Sequence, residues 1–452
     1  MADESTKELQ CIDWRRCFSF LEIVRSFRLA IHPAKIFLCF VGLALSFGAA
    51  CLVDQIPTVG QTDVRIQSVT PARFDVARWQ SGLSQLGIAA PPRNSFYDNV
   101  HYIVTKTLWG DWAMPYVDGK GWGDFTAFLA SPLVAARDSL ALAVAYWDQA
   151  PWFALINTVL ALAIWSVIGG AVSRMSAVRF AREESVPLGK AVGFALSKWP
   201  SIVTSPLIPF GVLVLVAVGI GAPAGLPLMI PYVGEYAVGI FFFVTLILGL
   251  LMALIIIGGT LSLGLQWPTI AAEGSDSFDA ISRSISYVAS RPWRYLFYLL
   301  FSAVYGCLVF VFVKFLAFLV LWITHHAVAT FSWGSGAAAD KLVRLWALPT
   351  LANPWPQPGA TPDAMYGAEA SATYLFMFWV WVAMGMMVAF LPSFFFTSQT
   401  IIYFLLRKVV DATDVEEVYV EESEEEQLPL EAKAAAPEVV KVTEPAPPKP
   451  PE

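Results

Sequence analysis

The chain has 452 residues, 57% of them hydrophobic and 14% charged, with a formal net charge of −7. Water-soluble domains carry about 25% charged residues, so a globule with an entirely water-facing surface is excluded. Most of the excess acid falls in residues 411–452 and the rest is near balance, which excludes a basic, nucleic-acid-binding surface.

The first segment, 1–35, opens with the polar, acidic MADESTKELQ, which does not read as a cleavable signal peptide. Its later part is amphipathic. Phe20, Val24, Phe27 and Ile31 recur at helical spacing, beside a basic stripe of Arg25, Arg28, His32 and Lys35. Residues 36–53 form the first stretch apolar enough to cross a bilayer, which takes about 20 helical residues. An extracytoplasmic segment, 54–151, follows. It is rich in tryptophan (Trp79, Trp109, Trp112, Trp122, Trp147), and DFTAFLASPLVAARDSLALAVAYWDQAPW predicts one or two amphipathic helices along the outer membrane face.

Residues 152–406 hold five further spans: Trp152–Val172, Ile202–Ile220, Val238–Leu263, Tyr295–Ile323 and Tyr374–Leu391. The last continues past Pro392, which is expected to kink it or to end its membrane part. Amphipathic helices are predicted near 182–199 and 273–292 on the cytoplasmic side, and an outer loop over 324–372. From 407 the composition turns acidic and proline-rich. EEVYVEESEEEQ and APEVVKVTEPAPPKPPE hold too little apolar surface for a core, so residues 407–452 read as a disordered cytoplasmic tail.

Lysine and arginine in the short flanks give the orientation. Arg174, Arg179, Arg182, Lys190 and Lys198 lie between the second and third spans; Arg283, Arg291 and Arg294 lie between the fourth and fifth. The short loop 221–237 has no base. Both termini are therefore expected in the cytoplasm of a bacterial inner membrane.

Three entries into the membrane share one pattern: FRLAIHPAKIFLCF, FALSKWPSIVTSPL and SYVASRPWRYLFYL. Each sets a basic residue beside a proline and then runs apolar. A long basic side chain reaches phosphate while its stem stays in the interface. Lys35, Lys198, Trp199, Arg291, Trp293 and Arg294 are thus candidate membrane-entry anchors. Their surroundings also hint at a repeat of span, surface helix and span.

Reaction chemistry is sparse. No Walker loop, HExxH or GxSxG occurs, and no cofactor or metal is indicated. Glu273, Asp276 and Asp279 cluster, yet Asp276 reads as a helix cap and Asp279 as an i,i+4 partner of Arg283. His325 and His326 are adjacent and so point about 100° apart on a helix. Lys314 is the ionisable residue deepest in an apolar run; it reads either as an intramembrane site or as a side chain snorkelling to the outer headgroups. Asn157 is a lone polar group of the kind that joins helices.

WSVIGGAVSRMSAVRFAREE, EGSDSFDAISRSISYVASRPWRYL and TIIYFLLRKVVDATDVEEVY resemble uncharacterised multi-pass inner-membrane proteins of planctomycete-type bacteria. That resemblance implies a membrane location and no assigned activity. The expected fold is all-α: a polytopic membrane helical bundle of about six transmembrane helices with amphipathic interfacial helices. The expected partners are the lipid bilayer and a cytoplasmic protein met through the acidic tail. The leading functional expectation is a non-enzymatic envelope-organising or partner-recruiting protein, and the alternative is a transporter or lipid-handling protein.

Overall fold

A computed structural model describes residues 19–56, 95–109, 129–230, 232–331, 337–350, 368–414 and 416–419. Of the tail expected over 407–452, residues 407–410 instead end a helix and 416–419 dock on the protein; residues 420–452, the chain before 19, and Trp79, Trp112 and Trp122 lie outside the described residues. Those residues are helical throughout, with no strand among them, and six helices are long and apolar enough to cross a membrane. Lipid offers backbone groups no partner, and a helix satisfies them within itself.

A 3-10 turn, Ser19–Val24, leads into α1 (Arg25–Ala30) and the first span, α2 (Pro33–Asp54). Then come α3 (Ser95–Tyr102), continued by a π turn over Ile103–Leu108, and α4 (Ser131–Gln149). The remaining long helices are α5 (Pro151–Arg182), α7 (Trp199–Gly225), α8 (Val233–Glu273), α10 (Pro292–Phe331) and α12 (Ala368–Val410). Short helices α6 (Leu188–Ser197), α9 (Ser277–Ser290) and α11 (Ala337–Leu345) lie between them. Proline stands in the first turn of α2, α4, α5 and α7, where its missing N–H has no intrahelical bond to lose. In α12 the helix runs on through Pro392.

With 32, 41, 40 and 43 residues, α5, α8, α10 and α12 exceed the length of a single bilayer crossing. At the end rich in arginine and lysine, here the basic end, the surplus turns of α5, α8 and α12 form a protein layer with α6 and α9. Both short helices double back. Gly170 of α5 meets Ala195 and Ile202, and Thr269 of α8 hydrogen-bonds with Ser284 of α9 at 3.4 Å. Small residues permit this: Ala191 and Ala195 on α6, and Ala280 and Ser284 on α9, are fully buried. α9 therefore has two working faces. The small face packs on α8, while Phe278, 70% exposed, and Ile285 remain outside.

Glycine also sets the central packing. A Cβ on Gly169 would fall 2.4 Å from Trp267, whose ring stacks on Phe396 at 5.5 Å. Gly385 admits Phe40 and Gly306 admits Phe394 in the same way. α7 and α8 form an antiparallel pair whose outer part stands away from this core: none of the most apolar stretch of α8 is buried within the chain. At the opposite end, α4 returns along α5, with Tyr146 against Phe153 at 4.8 Å. Ala135, Leu142 and Tyr146 are buried there, while Leu140, Val144 and Trp147 are exposed.

Candidate functional site

The basic end carries most of the polar chemistry. Gly274 ends α8 in a left-handed conformation with φ 65°, its N–H donating to the Ile270 carbonyl at 2.8 Å. Onto this corner folds a strap of residues beyond α12. Tyr419 N donates to the Ala272 carbonyl at 2.8 Å. Arg174, 7% exposed, donates to Ala271 O at 2.9 Å and to Tyr419 O at 2.7 Å, with its guanidinium 4.6 Å from the Phe194 ring centre. Arg407 donates to Glu417 O at 2.7 Å, and Val418 is buried. The guanidinium groups thus satisfy strap carbonyls that lack helical partners.

Beneath the strap, Glu273 gathers three groups. Its Oε1 accepts from the Tyr403 hydroxyl at 2.5 Å and lies 3.4 Å from Arg407 Nε. Its Oε2 is 2.8 Å from Arg283 Nη1 without an aligned hydrogen bond, so that contact is Coulombic. Asp279 N donates to Asp276 Oδ1 at 2.9 Å, and Arg283 Nε to Asp279 Oδ1 at 2.9 Å, which are the cap and the i,i+4 pair expected from spacing. Tyr287 donates to Asp411, and burial together with that bond holds its phenol above the ordinary tyrosine range. Every carboxylate of this cluster is paired or capping a helix. Among the described residues no group of three or more His, Cys, Asp or Glu could hold a metal ion.

A second polar site lies deeper, where α2 begins. Lys35 is 1% exposed and donates to Ser176 Oγ at 2.8 Å. Ser176 in turn donates to Val172 O at 2.7 Å and lies 3.1 Å from Thr397 Oγ1. Arg179 is close enough for its charge, after burial itself and ahead of Lys35, to hold the His32 imidazole below its ordinary value of 6.5.

The six expected anchors separate into different surroundings. Trp199, Arg291, Trp293 and Arg294 are exposed, Trp293 by 82%, and residues 290–294 line an open hollow of about 460 Å³. Lys198 is half-buried and donates to Gly274 O at 2.5 Å, so it helps hold the corner. Lys35 points into protein. Lys314 is fully buried and donates to Ser131 Oγ at 2.8 Å and to Trp109 O at 3.2 Å. The far-end segments cover it, in place of the snorkelled path to headgroups. Asn157 donates to Phe153 O of its own helix at 3.0 Å. His325 faces the Trp346 carbonyl at 3.2 Å and His326 the Trp322 carbonyl at 2.9 Å.

No family model, curated protein or solved structure matches this chain. Its chemistry therefore stands on the side chains alone. The strap and the Lys35–Ser176–Thr397 node were not singled out from sequence, and Arg174 was read only as a charge that sets orientation. Their signals were Arg174 within a run of small residues in an apolar helix, and hydroxyl residues recurring at 397, 398 and 400.

A cavity of about 500 Å³ lies between the π turn, α4, Trp165 of α5 and the Pro392 region of α12. Val388 and Pro392 both line it, and proline at 392 deprives the Val388 carbonyl of its usual i+4 donor.

Proposed function

We propose that this multi-pass protein resides in a bacterial inner membrane and recruits a cytoplasmic partner through its acidic tail, without catalysing a reaction. Both termini are cytoplasmic in this reading, and kinship with the planctomycete-type inner-membrane proteins belongs to the same proposal. The observation that carries it is the strap. Arg174, Arg407 and the Ala272 carbonyl hold residues 417–419 by their backbone, so the acidic sequence that follows leaves from one set point on the basic end. The pairing of Glu273, Asp279 and Asp411 within the cluster supports a structural role for these carboxylates. The test compares full-length protein with a chain ending at Tyr419 and with one whose glutamates at 421–426 are glutamine. Loss of the same co-purifying cytoplasmic protein from both variants supports recruitment; an unchanged set of partners removes it.

The cavity beside Pro392 favours a second reading, lipid handling. Its lining would suit an acyl chain. Filling it with Ala136→Phe should then slow lipid movement in liposomes relative to wild type, with Lys314→Met as a second variant. No movement in the wild type would discard this reading.

A further inference from the structure

One wall of the apolar cavity comes from segments expected along the outer membrane face. The π turn supplies Leu108, and α4 supplies Pro132, Ala136 and Ser139; the opposite wall is Trp165 of α5 and the Pro392 region of α12. Phe153 packs on Tyr146 beside the turn between α4 and α5. From Phe153 to Trp165 the α5 helix travels about 18 Å away from that turn, at about 1.5 Å of rise per residue. A bilayer's hydrocarbon core is about 30 Å thick. The wall therefore re-enters the depth that α5 crosses.

Lys314 holds that wall. Its three N–H donors meet three oxygens. Two are Leu108 O at 3.4 Å and Trp109 O at 3.2 Å, where the π turn ends; the third is Ser131 Oγ at 2.8 Å, where α4 begins. Leu108 lines the cavity, and so does Pro132, next to Ser131. Thr107 Oγ1 donates to Asp138 Oδ2 at 3.4 Å and ties the two pieces together again. Among the described residues none of α10 lines the cavity, so Lys314 acts on the wall from behind. α10 is also packed on the opposite wall's helix, where Gly306 admits Phe394 of α12. It is thus a bracket that sets the spacing between α4 and α12.

The cavity opens sideways. Ala136 and Ser139 on α4 and Phe395 on α12 line it and are exposed, Phe395 by 48%. Apart from Ser139 and the Trp165 indole, its described lining is aliphatic, prolyl or phenyl. An apolar cavity stays dry, and at this depth a lateral mouth meets hydrocarbon.

We propose that the cavity binds one acyl chain of a membrane phospholipid, inserted from the side, and that Lys314 is the positioning residue that keeps its wall in place. The inference rests on the lipid-handling reading of the same cavity for the nature of its occupant. It requires binding, where that reading requires movement.

The full-length protein, purified in a non-ionic detergent and stripped of lipid, is titrated with a phosphatidylcholine brominated at mid-chain, which quenches tryptophan on contact. Each protein is measured with and without Trp165→Phe, and the difference reports the cavity. That difference should saturate. Dioleoylphosphatidylcholine should abolish it by displacement; dihexanoylphosphatidylcholine, with the same headgroup and short chains, should not. Ala136→Phe should remove at least half of it, while Leu140→Phe, at an exposed position of α4 outside the cavity, should keep it. Lys314→Met should also remove at least half, with the quenching of the other tryptophans unchanged. If Lys314→Met fails to fold, Ser131→Ala, which takes away one acceptor and leaves the lysine, carries the comparison. No quenching that depends on Trp165, a full signal in Ala136→Phe, or equal displacement by the short-chain lipid overturns the site. A full signal in Lys314→Met, or in Ser131→Ala where that variant stands in, overturns the part assigned to the lysine. Binding as expected without lipid movement in liposomes supports the site and discards lipid handling; movement without binding does the reverse.

Discussion

Between His32 and Arg179 the charges are alike, and the imidazole responds by favouring its neutral form. Burial is the larger cause, followed by Arg179 and then Lys35. In the unfolded chain His32 titrates near its ordinary value of 6.5, while in the folded protein it binds its proton only at lower pH. As pH falls below about 6.5 the unfolded state takes up the proton first, and stability declines until the folded-state value is passed. Above that window the two states are equally deprotonated and His32 contributes no slope. His32→Gln should therefore flatten the acid side of a melting-temperature profile recorded between pH 5 and 7.5 in phosphate-free buffer. An unchanged acid slope would show that another group controls it. The sequence placed His32 and Lys35 in one basic stripe but read Lys35 as an anchor facing lipid phosphate. Its true environment depends on Ser176, 141 residues away, and no local pattern reports a contact of that span. Lys314 is a stronger case: its partner Trp109 lies 205 residues away, in a segment read as a separate outer surface.

At the scale of elements, short-range chemistry was legible and long-range docking was not. The Asp276 cap and the Asp279–Arg283 pair are three- and four-residue relations, so spacing alone exposed them. The amphipathic period of α9 was equally visible, but it revealed the Phe278–Ile285 face and hid the second one. Ala280 and Ser284 look unremarkable in a list of residues, yet they are what allow α9 to lie against α8. The strap was read simply as the start of an acidic tail. Its docking turns on Gly274, where φ is 65° and an added Cβ would sit 2.8 Å from the Tyr419 ring. Gly274→Ala should cost about 1–3 kcal/mol through the left-handed backbone and should dislodge the tyrosine as well. Limited proteolysis between 411 and 419 should become several-fold faster in this variant. Tyr419→Ala should accelerate the same cleavage without the backbone penalty, and so with a smaller change in melting temperature. Equal cleavage in all three proteins would mean that the strap is held by its arginine contacts and not by the ring.

For the whole molecule, the all-helical class and the six spans followed from the lack of charge over long apolar runs, because lipid accepts few other solutions. What composition withheld was the extension of four helices beyond the bilayer. The same apolar and small residues serve lipid contact and protein packing, as the buried run from Ile168 to Val178 in α5 demonstrates. If all six long apolar helices cross, their even number returns the two described ends to one side. The contacts agree: Arg25 pairs with Glu183 at 3.0 Å, and Arg182 reaches the Val418 carbonyl at 3.5 Å, so both described ends meet the same end of α5. In the proposed orientation, which follows the bias of lysine and arginine, that side is the cytoplasm. Fluorescent-protein fusions after Tyr419 and before Met1 should therefore both be bright. Alkaline phosphatase inserted between Thr350 and Ala368, beyond α11, should be active, and the same enzyme fused after Tyr419 should be silent. Opposite results at all sites would invert the orientation and keep the bundle. Ends on different sides would mean that one apolar helix does not cross, and the α7–α8 pair, which has the least protein around it, would be the first to re-examine because its retention in lipid rests on hydrophobicity with little help from packing.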